Sequence, residues 1–171
     1  MATSKHIASH LIQRPVSAFL LFFALGGLIY ANTLHSPFIF DDIPNIIKNQ
    51  HIRITSITPA TIQHIVEGPG ASASRPLAMF TFALNYFFHR YQTTGYHLGN
   101  ITIHLITTFL IFLVTAQTLR LCRISSPLTP FFTSLLWLAH PLHIQSVTYI
   151  VQRMTSLATM FYLLALFCFI K

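Results

Sequence analysis

Pro15-Val-Ser-Ala-Phe-Leu-Leu-Phe-Phe-Ala-Leu-Gly-Gly-Leu-Ile-Tyr30 contains no charged side chain, and the charge-free run continues to Phe40. A helix needs about 20 apolar residues to cross a ~30 Å hydrocarbon layer, so this stretch reads as a membrane span over 15–34. Lys5 and Arg14 precede it and Ala31 follows, a layout that a secretory signal peptide shares. The run is long for a signal core, and we read it as an uncleaved helix. The whole chain agrees: 53% of its 171 residues are hydrophobic and 8% are charged. A soluble domain carries roughly 25% charged residues. The expected class is therefore an all-α integral membrane protein. The formal charge is +7, but the ten basic residues are scattered singly. Without a basic stripe, nucleic acid is not expected as a partner. Cys122 and Cys168 form no disulfide or metal framework.

Working outward, residues 1–14 are expected to be a cytoplasmic tail and 95–119 the second span, with Thr102 to Val114 as its apolar centre. Arg120 and Arg123 lie in a turn over 120–126. Residues 127–171 are expected to hold the third and fourth spans, joined by a short outer connection. The third apolar segment, ending at Ala139, is short unless it continues past Pro141. About four spans result. Lys5, Arg14, Arg120, Arg123 and Lys171 place the tail, the turn and the C-terminal end on the cytoplasmic side. The 35–94 loop then faces outward, since long loops translocate largely regardless of charge. It is too apolar for a plain linker. Ile54 to Val66, with Pro59 inside, and Pro76 to Phe88 suggest short helices; the second, rich in Phe, suits the membrane interface, with a re-entrant piece as the alternative. Glu67 to Ser74 has the small residues of a mobile loop.

The chain has only three carboxylates: Asp41, Asp42 and Glu67. Adjacent like charges do little for packing in so apolar a chain, which marks Asp41-Asp42 as candidate chemistry. One reading is local, with Asp42 capping a turn near Pro44. The other is a general base at the membrane surface, with a divalent metal as a possible companion. Arg75 is either a snorkelling arginine or a phosphate clamp. His97, Asn100 and His104, at i, i+3 and i+7, share one face of the second span. They form a polar stripe that must face protein or a cavity, and hydrogen bonds between helices are the simplest use for it. His140, His143, Gln145 and Arg153 form the last cluster. It lacks the HExxH pattern of zinc proteases. On a helix starting near Pro141, His143, Ser146 and Ile150 would share a face, with Arg153 one turn on. The cluster reads as an interfacial polar belt or as a site for a lipid-linked anionic headgroup.

Four segments in order resemble the transmembrane-and-TPR family of O-mannosyltransferases of the GT-C class. They are Asn32-Thr-Leu-His-Ser-Pro-Phe-Ile-Phe-Asp-Asp42; Ser74-Arg-Pro-Leu77 with Asn85-Tyr86; Gly95-Tyr-His-Leu-Gly-Asn100 with His104; and Leu136-Trp-Leu-Ala-His-Pro-Leu-His143 with Val147-Thr-Tyr-Ile-Val-Gln-Arg153. The resemblance covers roughly residues 30–171. It implies a partial GT-C bundle with its active site on the outer or luminal side, in a bacterial plasma membrane or the endoplasmic reticulum. The donor would be a polyprenyl-phosphate sugar, with no certain cofactor. The partners implied are this lipid-linked donor, a protein Ser/Thr acceptor, membrane lipids, and a C-terminal bundle or TPR region. Asp41 or Asp42 would be the base. Arg75, His140, His143 and Arg153 would hold the carrier phosphate, because a leaving phosphate needs cationic stabilisation. Two features depart from the family. Gln145 stands where the family commonly has Glu, and Gln cannot act as a base. No 34-residue repeat is present, so the chain reads as the N-terminal part of a longer protein. The alternative is a non-catalytic anchor or scaffold; a small transporter ranks third.

Overall fold

In the computed structural model, residues 15–68 and 74–171 are described; the expected N-terminal tail and most of the Glu67–Ser74 stretch lie outside them. Helix α1 spans Pro15–Tyr30 and tightens into a 3₁₀ turn over Ala31–Thr33. Ala18, Phe22, Gly26 and Tyr30 are its buried residues. Their i, i+4 spacing makes one stripe, leaving Val16, Leu20, Phe23 and Leu28 exposed on the other faces. Gly26 is the closest approach, since a Cβ there would run into the side-chain ends of Leu105 and Leu138.

The central element is α4, Thr93–Leu121. Its 29 residues extend roughly 44 Å at 1.5 Å each, longer than the hydrocarbon layer. Buried positions run from Gly95 to Phe112 on several faces, because α1 and two later helices pack around it. Helix α5, Thr129–Ala139, has 11 residues and so extends only about 16 Å. It stops because His140 precedes a proline and takes extended backbone, φ −69° and ψ 127°. The third apolar segment therefore does not continue past Pro141. Three helical stretches are long and apolar enough to cross a membrane, Pro15–Thr33, Thr93–Leu121 and Ile150–Ile170; α5 is a shorter fourth. Phe22, Ile101, Leu105, Phe112, Phe131 and Leu138 pack together between α1, α4 and α5.

A second core explains why the 35–94 segment is so apolar. Helix α2, Pro59–Val66, starts with a capping box between Thr58 and Thr61, and Pro59 occupies the first turn, where a missing N–H costs nothing. Helix α3, Pro76–His89, ends at Arg90 in the left-handed region, φ 53°. Met79 and Phe82 from α3 join Ile46, Ile52 and Ile65 against Tyr96 of α4 and against Ile150 and Met154. Each such side chain contributes about 1.5–3 kcal/mol when removed from water. This segment is thus a folded cap on one end of α4.

Between α5 and the last helix, α7 (Arg153–Ile170), the chain is broken rather than continuous. A 3₁₀ turn over Pro141–His143 leads into a one-turn helix α6, Ile144–Thr148. Tyr149 is extended, φ −86° and ψ 111°, before a 3₁₀ turn at Ile150–Gln152. The expected single helix from Pro141, with Arg153 one turn beyond Ile150, is not formed, because the break at Tyr149 redirects the chain.

Candidate functional site

The 140–154 connection gathers the polar residues. The two aspartates, adjacent in sequence, have opposite surroundings. Asp42 is 0% exposed, and both of its carboxylate oxygens are occupied. The Ile39 N–H donates to one at 3.0 Å and the Val151 N–H to the other at 2.7 Å, across 109 positions of sequence. It makes no side-chain capping bond to the Ile43–Ile47 turn that follows, so the local-cap reading is replaced by a long-range tie. Burial pushes the Asp42 carboxyl above its usual range; the two N–H bonds and the nearby His97 pull it back, and Asp41 pushes it up again. Asp41 is exposed. Its backbone N–H donates to the Tyr149 hydroxyl at 2.8 Å. Burial raises the Tyr149 phenol, and the Asp41 and Asp42 charges raise it further. Residues 149 and 151 thus hold both aspartates from the same turn.

The stripe on α4 supports that turn. His97 is buried, and its Nε2–H donates to the Ser36 carbonyl at 3.0 Å, tying the first loop to α4. Its Nδ1 has no partner among the described residues. The Asn100 amide donates to the carbonyls of Val147, Tyr149 and Ile150 at 3.2–3.3 Å, which holds the broken backbone open. Its Oδ1 accepts from Arg153 Nε at 2.8 Å. The His104 Nε2 faces the Leu138 carbonyl at 3.4 Å and the Tyr30 hydroxyl at 3.5 Å.

Arg153 is 1% exposed. Beyond Asn100, its guanidinium donates to the Tyr96 carbonyl at 2.6 Å, Asn85 Oδ1 at 2.5 Å and Thr81 Oγ1 at 3.3 Å. Its Cζ lies 4.6 Å from the Phe82 ring centroid. A buried cation is costly unless its donors are satisfied, and here neutral oxygens satisfy them. A Cβ on Gly99 would come within 2.6 Å of the guanidinium, so glycine leaves the room it occupies. Arg153 has no open face to offer a carrier phosphate. The expected role gives way to a structural one, as the clamp joining α3, α4 and α7. The Asn85 and Tyr149 roles were missed from sequence. Both stand in the quoted motifs, but nothing in the spacing says what they would touch.

The remaining expected phosphate ligands lie toward the outside. Arg75 is exposed and its Nη1 rests 3.1 Å from the Met154 sulfur, beside the start of α7. His140 is exposed, and the His143 ring packs against Trp137 at a tilt of 39°, with centroids 3.9 Å apart. Burial, and then His140, lower the His143 pKa. His140 and His143 border an apolar hollow of about 410 Å³ that includes Ile111, Leu136 and Leu142. Among the described residues no group of three or more His, Cys, Asp or Glu is placed to hold a metal ion.

These features define a helical membrane protein whose first-loop aspartates are fastened to a broken connection between two later helices. Comparison with known proteins gives the class its name. The chain is 33% identical to the Protein O-mannosyl-transferase tmtc2 of Xenopus laevis over 164 residues, covering 89% of this chain and 18% of that protein. It is 32% identical to human Protein O-mannosyl-transferase TMTC2, covering 86% of this chain and 18% of the relative. It is 30% identical to Protein O-mannosyl-transferase F38B6.6 of Caenorhabditis elegans, covering 89% and 23%. No family model and no solved structure matches. The chain belongs to the TMTC family of protein O-mannosyl-transferase-like membrane proteins and spans about a fifth of the length of the curated relatives it matches.

Proposed function

We propose that this chain carries the base and part of the carrier site of a membrane glycosyltransferase. The reaction moves a mannose-like sugar from a polyprenyl-phosphate carrier to a hydroxyl, with protein Ser/Thr as acceptor, on the outer or luminal face. One observation carries the assignment of the base: both Asp42 oxygens are bound by backbone N–H groups, whereas Asp41 is exposed. In the step proposed, Asp41 takes the acceptor's proton as the hydroxyl oxygen bonds to the anomeric carbon. The carbon–oxygen bond to the carrier breaks, its electron pair leaves on the phosphate, and the anomeric centre inverts. Arg75, His140 and His143 are the ligands proposed for that phosphate; Arg75 brings a permanent charge. The apolar hollow beside the two histidines suits the carrier's hydrocarbon chain. The reading needs further helices or the TPR region of the relatives as partners, and an endoplasmic reticulum or bacterial plasma membrane.

The test is sugar transfer in membranes carrying the full-length protein, with a polyprenyl-phosphate mannose donor and a Ser/Thr peptide. Asp41→Asn should reduce turnover about 10²–10⁴-fold, the usual worth of a positioned base. Activity that survives Asp41→Asn removes Asp41 from the reaction. The second reading, a non-catalytic anchor or scaffold, is favoured by Gln145, an exposed amide where the family has Glu. Gain of transfer in Gln145→Glu would mark the present chain as the impaired version.

A further inference from the structure

The end of α4 opposite the aspartates holds a crevice of about 360 Å³ that the proposed reaction does not use. Its construction starts with how α4 stops. The Ile124 N–H donates to the Leu119 carbonyl at 2.9 Å, and the Arg123 N–H to the Arg120 carbonyl at 3.1 Å. These two bonds form a Schellman turn with Arg123 in the left-handed position, φ 56°, where glycine is usual. The Ser126 and Thr129 hydroxyls, 2.6 Å apart, fasten the other side of the turn to the start of α5. The backbone thus fixes the mouth of the crevice. Phe112, Ala116 and Leu119 of α4 and Pro130 of α5 form its floor, and Arg120 and Ser125 stand on its rim.

Depth in the bilayer selects the shape of the occupant. Because α4 is longer than the hydrocarbon layer, its end at Arg120 reaches the headgroups, while Phe112, about 12 Å deeper, lies among acyl chains. The occupant is therefore apolar below and polar above. Charge selects the polar part. The guanidinium groups of Arg53 and Arg153 are spent on protein oxygens. That of Arg120 is exposed and meets no acceptor among the described residues. Arg123 adds a second exposed cation in the same turn. All three carboxylates of the chain are remote: Asp41 and Asp42 are tied to the turn at 149–151, and Glu67 ends α2 in the cap. A free phosphate would use the rim and leave the apolar floor empty. A zwitterionic headgroup carries its own cation beside its phosphate, which the two arginines repel. We propose that the crevice between the end of α4 and the start of α5 binds an anionic phospholipid, with its phosphate on Arg120 and an acyl chain along Phe112, Ala116 and Pro130. Arg120 lies about 35 Å along α4 from His97, so this is not the carrier site, and the inference does not rest on the transferase reading.

The test uses the purified chain in a neutral detergent, stripped of co-purified lipid. It is titrated with dioleoyl-phosphatidylglycerol and separately with dioleoyl-phosphatidylcholine, and native mass spectrometry counts the lipid bound. The first phosphatidylglycerol should bind about fivefold more tightly than phosphatidylcholine. Arg120→Gln should remove that preference and leave phosphatidylcholine binding unchanged, whereas Arg120→Lys should keep most of it. Ala116→Phe, which fills the floor and keeps both charges, should weaken phosphatidylglycerol binding. Arg90→Gln, which removes an equally exposed arginine at the other end of the bundle, should change nothing. Equal affinity for the two lipids, an unchanged preference in Arg120→Gln, or an equal loss in Arg90→Gln would overturn the proposal. Unchanged binding in Ala116→Phe would take the acyl chain out of the crevice and overturn it too. So would displacement of the lipid by inorganic phosphate beyond the effect of sodium chloride at the same ionic strength, because the rim would then be reading a free anion.

Discussion

Asp42→Asn tests the division of labour between the two aspartates. The carboxylate accepts two backbone N–H groups, from Ile39 and from Val151, in a site with no exposure. An asparagine keeps one acceptor oxygen and turns an NH₂ toward the other donor. One buried N–H is then orphaned, at about 1–3 kcal/mol. Asp42→Ala orphans both, for about 2–6 kcal/mol. Asp41→Asn, on an exposed side chain, should stay within about 0.5 kcal/mol. The sign of the pH dependence follows from burial. The folded carboxyl is raised above its unfolded value, so the native state binds the proton more readily between the two values. The contribution of Asp42 is full below the unfolded value and declines as pH rises through the folded one. Asp42→Asn removes that slope. Denaturant midpoints in bicelles across pH 3 to 8 measure both effects. Equal losses in Asp41→Asn and Asp42→Asn, or a wild-type slope of the opposite sign, would refute the assignment of Asp42 as the tie.

Arg153→Met should cost about 2–4 kcal/mol, since it strands the oxygens of Asn100, Asn85 and Tyr96 inside the bundle; unchanged thermal stability would dismiss the clamp. The membrane sidedness read from the basic residues can be checked with a Glu67→Cys and Cys168→Ser variant, in which position 67 and the native, exposed Cys122 should react with impermeant maleimide from opposite sides. Labelling of both from one side would overturn the span count. Because burial lowers the His143 pKa, its cationic form should appear only below its ordinary range, so binding of a polyprenyl phosphate to the protein should strengthen as the pH is made more acidic; an affinity that does not change on acidification would remove His143 from the phosphate site.

Local composition was enough for the all-α membrane class and for the three long spans, because about 20 uncharged apolar residues have one stable solution in a bilayer. It was enough for the break at His140-Pro141 to be suspected, since a residue before proline resists helix. The i, i+3, i+7 spacing put His97, Asn100 and His104 on one face, and that face does turn inward. What spacing could not supply was the partner of each group. Asp41 and Asp42 are equivalent as letters; they separate only because Val151 and Ile39 close on one of them. Arg153 resembled a surface phosphate ligand until the extended Tyr149 turned it into a cage built from α3 and α4. Those outcomes rest on contacts across 53 to 109 positions of sequence, two of which use a backbone group, the Val151 N–H and the Tyr96 carbonyl, that carries no residue-type signal. The sequence by itself therefore determined which segments are long and apolar enough to cross a membrane, a matter of solvent preference summed along the chain. Only the tertiary structure decided which aspartate is free and which cation is spent, because hydrogen-bond saturation depends on neighbours that the chain brings together when it folds.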